Sequence, residues 1–384
     1  MAQVLSTASA IAEAEAYQAK ALGAVSRTFA FTIPQLPGDL RKVVTNAYLV
    51  CRIADTLEDE PALSAVDKAY LQERFLAVLR GEEGAQGFAA QVTPLLSPAT
   101  LPEERALMAN TPLVVRCTHR LDLPQQQALI KCVSIMCRGM SHYQGRASLE
   151  GLADQSELDR YCYHVAGVVG EMLTELFCEH SGDIRGRRAE MLALAPSFGE
   201  GLQLTNILKD LWDDRRRGVC WLPRREFFEL GVDVASLVPG RGGPAFVAAL
   251  RYLVGIAHAH LRNALRYALM VPAEEVGIRR FCLWAIGLAA LTLRRIVVRP
   301  TYGTGQEVKV SRRTVKAVIA STRLATRHDR ALRLLFDAVT RGVPLSPLAG
   351  PSQTVSVSAW AAEPAEGGGF AAARLGPRLR SGDE

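Results

Sequence analysis

Two short acidic clusters of the same form are the residues of this chain best suited to chemistry. One reads Asp-Thr-Leu-Glu-Asp over residues 55–59, and the other reads Asp-Leu-Trp-Asp-Asp over residues 210–214. Each places carboxylates at i, i+3 and i+4, which share one face of a helix. Like charges at that spacing destabilise a helix, whereas a divalent cation such as Mg²⁺ binds carboxylate oxygens and bridges to substrate phosphates. Two such faces turned towards each other would hold a diphosphate through metal ions bound by Asp55, Glu58, Asp59, Asp210, Asp213 and Asp214.

Apolar residues precede both clusters. A single acidic pattern of this kind on a helix is usually a solvated surface. Residues 47–54 are nearly all apolar, however, and residues 202–208 are apolar with isolated amides. Acidic groups at the ends of buried helices are unfavourable unless a metal or a counter-charge pairs with them. We therefore interpret the two clusters as halves of one metal site.

Arginine side chains follow or precede each cluster closely. Arg52 lies three residues before Asp55 on the same helical face, and a triplet of arginines occupies residues 215–217. Guanidinium groups form charge-assisted hydrogen bonds with phosphate oxygens, so Arg52 and Arg217 are candidates for binding the diphosphate. A solvated basic turn is the alternative for the triplet.

Two further segments carry candidate residues. Gln203 and Asn206 precede Asp210 on its side of the helix, either as substrate ligands or as satisfied amides of the core. Residues 161–170 begin with polar aromatics and contain Gly167 and Gly170, each of which lowers helix stability by roughly 1 kcal/mol relative to Ala. Small residues at that spacing indicate close approach either of a ligand or of a neighbouring helix.

Composition favours a helical protein. The chain has 384 residues, 49% of them hydrophobic, and is rich in Ala, Leu and Arg without alternating β-branched runs. Its eight cysteines form no C-x-x-C pair, which favours reduced, buried thiols in a cytoplasmic protein. The longest apolar run, residues 281–293, is too short to span a bilayer, so we expect no transmembrane helix. The net charge of +6 suits anionic substrates or peripheral contact with an anionic membrane, and we expect no nucleic-acid partner.

The chain is predicted to form one all-α domain over residues 1–343, followed by a disordered tail over 344–384. The stretches 81–102 and 215–243 are predicted to be irregular. Helices are expected over 8–31, 37–57, 64–80, 103–121, 124–147, 156–180, 187–212, 243–270, 274–296 and 308–340.

Four motifs in this order resemble the squalene/phytoene synthase family. They are S-R-T-F from Ser26, D-T-L-E-D from Asp55, Y-C-Y-H-V-A-G-V-V-G from Tyr161, and Q-L-T-N-I-L-K-D-L-W-D-D from Gln203. The likeness covers roughly residues 20–325. The stretch Val-Lys-Val-Ser-Arg-Arg over 308–313 further resembles the V-K-[IM]-R-R segment of the squalene synthases in that family.

The resemblance implies an isoprenoid synthase helical bundle with a central apolar cavity. It implies a prenyltransferase that condenses two farnesyl diphosphates head to head, using Mg²⁺ (or Mn²⁺), and then reduces the product with NADPH. The acids with catalytic roles would be Asp55, Asp59, Asp210 and Asp214, and Tyr161 would assist the first half-reaction. The substrate-binding set would be Ser26, Arg27, Phe29, Tyr48, Arg52, Gln203, Asn206, Arg217 and Phe281, and the NADPH-binding set Lys309, Arg312 and Arg313.

Departures from the family pattern leave the product open. Where squalene synthases commonly read F-C-A-I-P-Q, residues 281–286 read Phe-Cys-Leu-Trp-Ala-Ile. One alternative is a relative that stops at presqualene diphosphate or diverts it to hydroxysqualene or dehydrosqualene. A chain-elongating prenyltransferase or a terpene cyclase would also bind a diphosphate through metal ions held by acidic clusters. The motif that begins at Tyr161 and the segment 308–313 argue against these two classes. An inactive member acting as an assembly factor would tolerate loss of the acids, and both clusters are intact.

Overall fold

Helices form all the regular structure that the computed structural model assigns within residues 2–26, 28–144 and 146–348, the part of the chain that it describes. Side chains are described from residue 9 onward. The only bridge of β type in that part is an isolated parallel pair between Leu152 and Pro223. The prediction of an all-α protein is confirmed.

Seventeen α-helices follow one another along the described chain. The first nine are α1 (Ala2–Val25), α2 (Phe29–Thr32), α3 (Gly38–Asp59), α4 (Ala65–Arg80), α5 (Ala85–Val92), α6 (Pro102–Ala109), α7 (Thr111–Thr118), α8 (Leu123–Gln144) and α9 (Gln155–Cys162). The remaining eight are α10 (Val168–His180), α11 (Gly182–Arg185), α12 (Arg188–Arg216), α13 (Arg224–Glu229), α14 (Pro244–Met270), α15 (Val276–Val298), α16 (Arg312–Ala325) and α17 (Asp329–Val339). Short 3₁₀ turns cover Ile33–Gln35 and Thr93–Leu95, and a π-helix, Tyr163–Gly167, joins α9 to α10.

Helix α12 lies at the centre of the bundle. It packs most extensively against α14 and α10, and it also contacts α15 and the π-helix. Helix α3 packs against α1, α8, α7 and α10. The helices that carry the two acidic clusters are therefore both interior elements, and α10 touches both of them.

Glycines bring α12 into direct backbone contact with the π-helix and with α10. A Cβ on Gly170 would lie 2.1 Å from the carbonyl oxygen of Ala195, and one on Gly199 would lie 2.0 Å from that of Ala166. No side chain fits at either distance. The small residues of this segment therefore serve helix–helix packing. Of the two alternatives that the sequence left open, a ligand or a neighbouring helix, the structure shows the neighbouring helix.

Most predicted helices are present, and the exceptions have local causes. The predicted helix 103–121 is divided at Asn110 because Pro112 cannot continue the preceding helix. The predicted helix 308–340 begins only at Arg312 and is interrupted between α16 and α17. The stretches predicted to be irregular contain α5 and α13.

The described helices belong to one compact unit that ends at Ser346. Pro344 and Ser346 contact α14, through hydrogen bonds from His258 Nδ1 to the Pro344 carbonyl (2.9 Å) and from Ser346 Oγ to the Tyr252 carbonyl (3.1 Å). The predicted tail lies outside the described residues from position 349 onward. The division at 343/344 therefore stays a prediction.

Two of the described helices, α14 and α15, are long and apolar enough to cross a membrane by length and composition. The apolar run of residues 281–293 is shorter than α15, because the run ends at the arginines 294–295 and the helix extends from Val276 to Val298. In each helix 61% of the apolar window is buried inside the protein. Burial of that extent is typical of a core helix.

Two of the concavities in the described part of the chain have volumes of about 470 Å³ and 340 Å³. The first is lined by α6 and the turn before it, and the second by α12, α14 and α17 at a distance from the acidic residues. Neither is lined by a residue of the two clusters. The predicted central apolar cavity stays a prediction.

Candidate active site

Both acidic clusters lie at the C-terminal ends of interior helices, α3 and α12. A helix C-terminus carries partial negative charge, so carboxylates there are disfavoured by the helix dipole as well as by each other. The two ends face one another. Arg217 spans them, with Nη1 4.0 Å from Asp59 Oδ1 and Nη2 hydrogen-bonded to Asp214 Oδ1.

Basic side chains also pair with Asp55, Asp210 and Asp213. Arg52 lies 3.6 Å from Asp55 and 3.0 Å from Glu104. In the second cluster, Lys209 pairs with Asp210 at 3.0 Å, and Arg216 pairs with Asp213. Every described carboxylate of the two clusters except Glu58 therefore has a basic side chain within ion-pair distance.

Burial raises the pKa of two carboxyls in the first cluster, Asp55 and Glu58. The pKa of Asp55 rises to about 7, because burial outweighs the favourable Arg52 and Asp59 adds repulsion. The pKa of Glu58 rises to about 8 through burial and the charges of Asp59 and Asp55. In the second cluster burial raises the pKa of Asp214. Ionised carboxylates in such surroundings require added positive charge.

The donor set fits a hard divalent cation. It consists only of carboxylate oxygens, on two facing helix ends, in surroundings that disfavour their ionised form without a cation. No group of three or more acidic, histidine or cysteine side chains converges as a ready-made metal site in the described residues. The carboxylates are instead turned to their arginine and lysine partners, which a metal would have to replace.

Tyr161 lies beside both clusters. It is buried at the end of α9, stacks on Trp221 with ring centroids 4.1 Å apart, and meets the edge of Tyr143 at 5.1 Å. Burial raises the pKa of its phenol well above the usual value, and the charges of Glu58, Asp214 and Asp59 raise it further. The phenol therefore keeps its proton at neutral pH.

Aromatic rings continue from the first cluster into the core. Phe29 lies 5.2 Å from Tyr48 and 6.5 Å from Phe281, and Phe281 meets Phe177 edge-on at 6.1 Å. The structure thus brings together three of the predicted substrate-binding residues. Ser26 is engaged locally, because its Oγ accepts a hydrogen bond from the Phe29 backbone at 3.0 Å.

The other predicted substrate ligands differ in exposure. Gln203 is half-buried on α12, whereas Asn206 is exposed and accepts a hydrogen bond from Lys209 at 3.4 Å. Arg217 is exposed on one side while it bridges the clusters. Arg27 lies outside the described residues.

The predicted NADPH segment follows a loop that packs on the second cluster. Tyr302 is buried and donates a hydrogen bond to the Leu208 carbonyl of α12, and Val308 is buried a few residues later. Lys309, Arg312 and Arg313 are exposed, and no ion pair is recorded for them among the described residues. The two arginines open α16, where Ser311 caps the helix through a hydrogen bond from the Thr314 backbone.

Several residues of the site were not predicted. Trp221 stacks on Tyr161, and Glu104 holds Arg52 from α6. Lys68 and Gln144 both donate to the backbone carbonyl of Glu58, the Gln144 bond being 2.7 Å long. Trp221 could have been found as an aromatic residue soon after the second cluster. The other three carry no sequence signal, because only the packing of α4, α6 and α8 on α3 brings them there.

A buried polar network joins α14 to α12 about three to four turns before the second cluster. His260 Nδ1 is 2.8 Å from Ser197 Oγ and 3.4 Å from Glu200, and Asn263 donates to Ser197 at 3.1 Å. Burial raises the pKa of Glu200 to about 8 and lowers that of His260 to about 4. Both groups are therefore neutral at pH 7.

Replacing Glu200 by Gln is expected to flatten the pH dependence of stability. Between pH 5 and about 8 the folded protein holds a proton on Glu200 that the unfolded chain has lost, so rising pH favours unfolding. The parent should lose up to about 1.4 kcal/mol of unfolding free energy per pH unit relative to Glu200→Gln. Urea unfolding at pH 5, 6, 7 and 8 measures this. Glu190→Gln, at an exposed site of the same helix, should retain the parent's slope; an equal slope in Glu200→Gln would refute the assignment.

The fold and site together define an all-helical protein with two facing carboxylate clusters beside a buried tyrosine. The family model for squalene/phytoene synthase matches residues 22–314, which is more than half of the chain. The chain belongs to the squalene/phytoene synthase family.

Individual relatives are similar in sequence, and solved structures are similar in fold. A squalene synthase of Eremothecium gossypii is 28% identical over 270 residues, which cover 70% of this chain and 59% of that protein. The chain therefore matches about three fifths of that relative's length. A solved structure of TcSQS with a ligand is similar in fold, with a TM-score of 0.66 and 23% identity over 86% of this chain and 98% of the other. A dehydrosqualene synthase structure gives a TM-score of 0.55 and 21% identity, covering 82% and 96%.

Proposed function

We propose that this protein is a prenyltransferase that condenses two molecules of farnesyl diphosphate head to head. The first product is presqualene diphosphate, and an NADPH-dependent reductive rearrangement then gives squalene. The observation that carries the proposal is the facing of two acidic helix ends across Arg217, with Tyr161 beside both clusters. The squalene synthases among the relatives support the choice of substrate.

The diphosphates would be held between α3 and α12. Asp55, Glu58 and Asp59 on one side and Asp210, Asp213 and Asp214 on the other would bind Mg²⁺. When bound, the cation neutralises the diphosphate and makes it a better leaving group. Arg52 and Arg217 already lie among these carboxylates, so their guanidinium groups are in place to donate hydrogen bonds to phosphate oxygens.

Tyr161 is suited to the first half-reaction. Its phenol keeps its proton at neutral pH, so it can donate a hydrogen bond to the departing diphosphate. Its ring and that of Trp221 present π-faces, which attract positive charge developing on the prenyl chain. The second farnesyl diphosphate supplies the double bond that forms the new carbon–carbon bond.

The aromatic group of Phe29, Tyr48 and Phe281 would bind the prenyl chains. These rings contact one another inside the bundle and present no charged group to a hydrocarbon. Their packing excludes water, which would otherwise capture the carbocation as an alcohol. Residues 283–286 lie in the same helix as Phe281, so their departure from the family pattern bears on how the intermediate rearranges.

NADPH would bind at Lys309, Arg312 and Arg313. These side chains are exposed, basic and grouped at the start of α16, so their charge and the helix N-terminus both suit phosphate groups. Bound there, NADPH supplies the hydride that ends the second half-reaction. The buried Val308 and Tyr302 tie this segment to α12.

Association with a membrane surface from the cytoplasm is part of the proposal. The chain has a net charge of +6, and Val298 and Leu324 are exposed near arginines of α15 and α16. An anionic surface attracts such a combination of charge and apolar area. The apolar substrate tails and product would also partition into lipid.

Incubation with farnesyl diphosphate and Mg²⁺, with and without NADPH, tests the function. We expect presqualene diphosphate without NADPH, squalene with it, and neither in the presence of EDTA. Mass spectrometry of the extracted products distinguishes them. Dehydrosqualene or hydroxysqualene in the presence of NADPH would establish the alternative product. A dehydrosqualene synthase is among the proteins of similar fold. Absence of any condensation would favour the assembly-factor alternative.

A further inference from the structure

The loop between α15 and α16 packs directly on the second acidic cluster. It is fixed at one end by Tyr302, whose hydroxyl donates to the Leu208 carbonyl, and at the other by the buried Val308. Between these anchors lies Gly305, which is buried although its loop runs along the protein surface. A buried glycine in such a loop indicates a close approach to another element.

Gly305 lies against the carboxylates of the second cluster. A Cβ built on it would be 3.1 Å from Asp210 Oδ1, 3.3 Å from Asp213 Oδ2 and 3.0 Å from the Lys209 carbonyl. All three distances are shorter than ordinary van der Waals contact of a methyl group. Because residue 305 has no side chain, the carboxylates of Asp210 and Asp213 can occupy their present positions beside the loop.

The neighbouring Gly303 provides an internal comparison. A Cβ there would lie 3.6 Å from Glu307 Oε1 and 3.8 Å from Pro239 Cβ, which are ordinary contacts. Neither glycine has a positive φ angle that would by itself exclude alanine. The two positions differ in what they touch, because only Gly305 meets the acidic cluster.

We propose that Gly305 is a positioning residue for the second acidic cluster, and that it sets the affinity of Asp210 and Asp213 for a divalent cation. The inference rests on the proposed function, since it assumes that this cluster binds Mg²⁺. A methyl group at residue 305 would displace the carboxylates or the loop by a few tenths of an ångström. Mg²⁺ requires near-ideal octahedral geometry at about 2.0–2.1 Å, so a displacement of that size weakens its binding.

The loop also connects the cation site with the basic segment. Lys309 follows Val308 directly, and Arg312 opens the next helix. Displacement of the loop at Gly305 would therefore reach both the carboxylates and the residues assigned to NADPH. A residue with a purely structural role would lower stability without changing the affinity for a cation.

Titration calorimetry of Mg²⁺ in the presence of inorganic diphosphate tests this on full-length protein. Gly305→Ala is expected to raise the Kd for Mg²⁺ at least about fivefold, with Gly303→Ala within twofold of the parent. Tyr302→Phe, which removes the loop's hydrogen bond to Leu208 without changing its packing, should also raise the Kd and keeps the test available should Gly305→Ala not fold. Thermal unfolding verifies that each variant is folded.

The outcomes separate the two proposals. An unchanged Kd in folded Gly305→Ala overturns the positioning role, and so does an unchanged Kd in Tyr302→Phe where Gly305→Ala does not fold. An equal rise of the Kd for Mg²⁺ in Gly303→Ala and in Gly305→Ala overturns the positioning role as well, because a general disturbance of the loop would then explain both results. Failure of the parent itself to bind Mg²⁺ with diphosphate overturns the proposed metal site, and the inference with it.

Discussion

Asp55→Asn and Asp210→Asn are each expected to lower the rate of condensation by at least about 100-fold while leaving the protein folded. Each substitution removes one negative charge from a helix end that would bind the cation, so the charge on the leaving diphosphate is less well neutralised. Stability should be unchanged or slightly higher, because like charges at a helix C-terminus repel each other and oppose the dipole. Initial rates of diphosphate release from farnesyl diphosphate and thermal unfolding measure the two effects.

Asp39→Asn is the matched control for Asp55→Asn. Asp39 lies in the first turn of α3, the same helix, and is exposed at its opposite end. We expect this variant to keep the parent's rate and to lose a few tenths of a kcal/mol of stability, since an acidic group there is favoured by the dipole. Full activity in Asp55→Asn or Asp210→Asn would overturn the assignment of these carboxylates to the metal.

The double variant Arg312→Ala, Arg313→Ala is expected to separate the two half-reactions. Removing two guanidinium groups from the start of α16 should raise the KM for NADPH at least about 100-fold, since each hydrogen bond to a charged group contributes about 1.5–3 kcal/mol and about 1.4 kcal/mol corresponds to a factor of ten. Formation of presqualene diphosphate should continue at the parent's rate, because the acidic clusters and Tyr161 are untouched. Product analysis over a range of NADPH concentrations would then show presqualene diphosphate accumulating where the parent makes squalene.

Arg330→Ala controls for a general loss of positive charge. Arg330 is an exposed arginine of α17, beyond the break that follows α16. It should leave the KM for NADPH unchanged. An unaltered KM in the double variant would show that the cofactor binds elsewhere and would contradict the role given to residues 309–313.

The helix predicted over residues 64–80 is present as α4, Ala65–Arg80. Ser64 and Asp67 form a reciprocal capping box at the start of α4, and Gly81 ends that helix with a left-handed backbone. Helix α5 was not predicted because the glycines, glutamines and prolines of residues 81–102 suggested a loop, whereas Phe88 of this helix stacks on Phe75 in the core with ring centroids 5.6 Å apart. Tertiary packing supplied what the local composition lacked.

The interruption between α16 and α17 shows the same limit. No proline or glycine marks it, so the sequence indicated one continuous helix. Arg279 is buried on α15. It donates hydrogen bonds to the Thr326 carbonyl at 3.0 Å and to the Asp329 carboxylate at 2.7 Å. A buried guanidinium requires such partners, and the chain bends to provide them.

The candidate site followed from spacing and resemblance only in part. The six carboxylates and Tyr161 are residues whose types and positions are visible in the sequence. The bridge from Arg217 to Asp59, the support of Glu58 by Gln144, and the contact of Gly305 with Asp210 join residues far apart in the chain. Such contacts arise from packing and leave no periodic pattern.

The most direct measurement of the central claim is the location of Mn²⁺, in place of Mg²⁺, in crystals grown with a non-cleavable farnesyl diphosphate analogue. Mn²⁺ binds oxygen ligands of the same kind and is visible by its anomalous scattering. We predict anomalous peaks between the two helix ends, within coordination distance of carboxylates from α3 and from α12 and of the analogue's diphosphate. A bound analogue whose diphosphate lies away from both clusters, with no anomalous peak between them, would contradict the account.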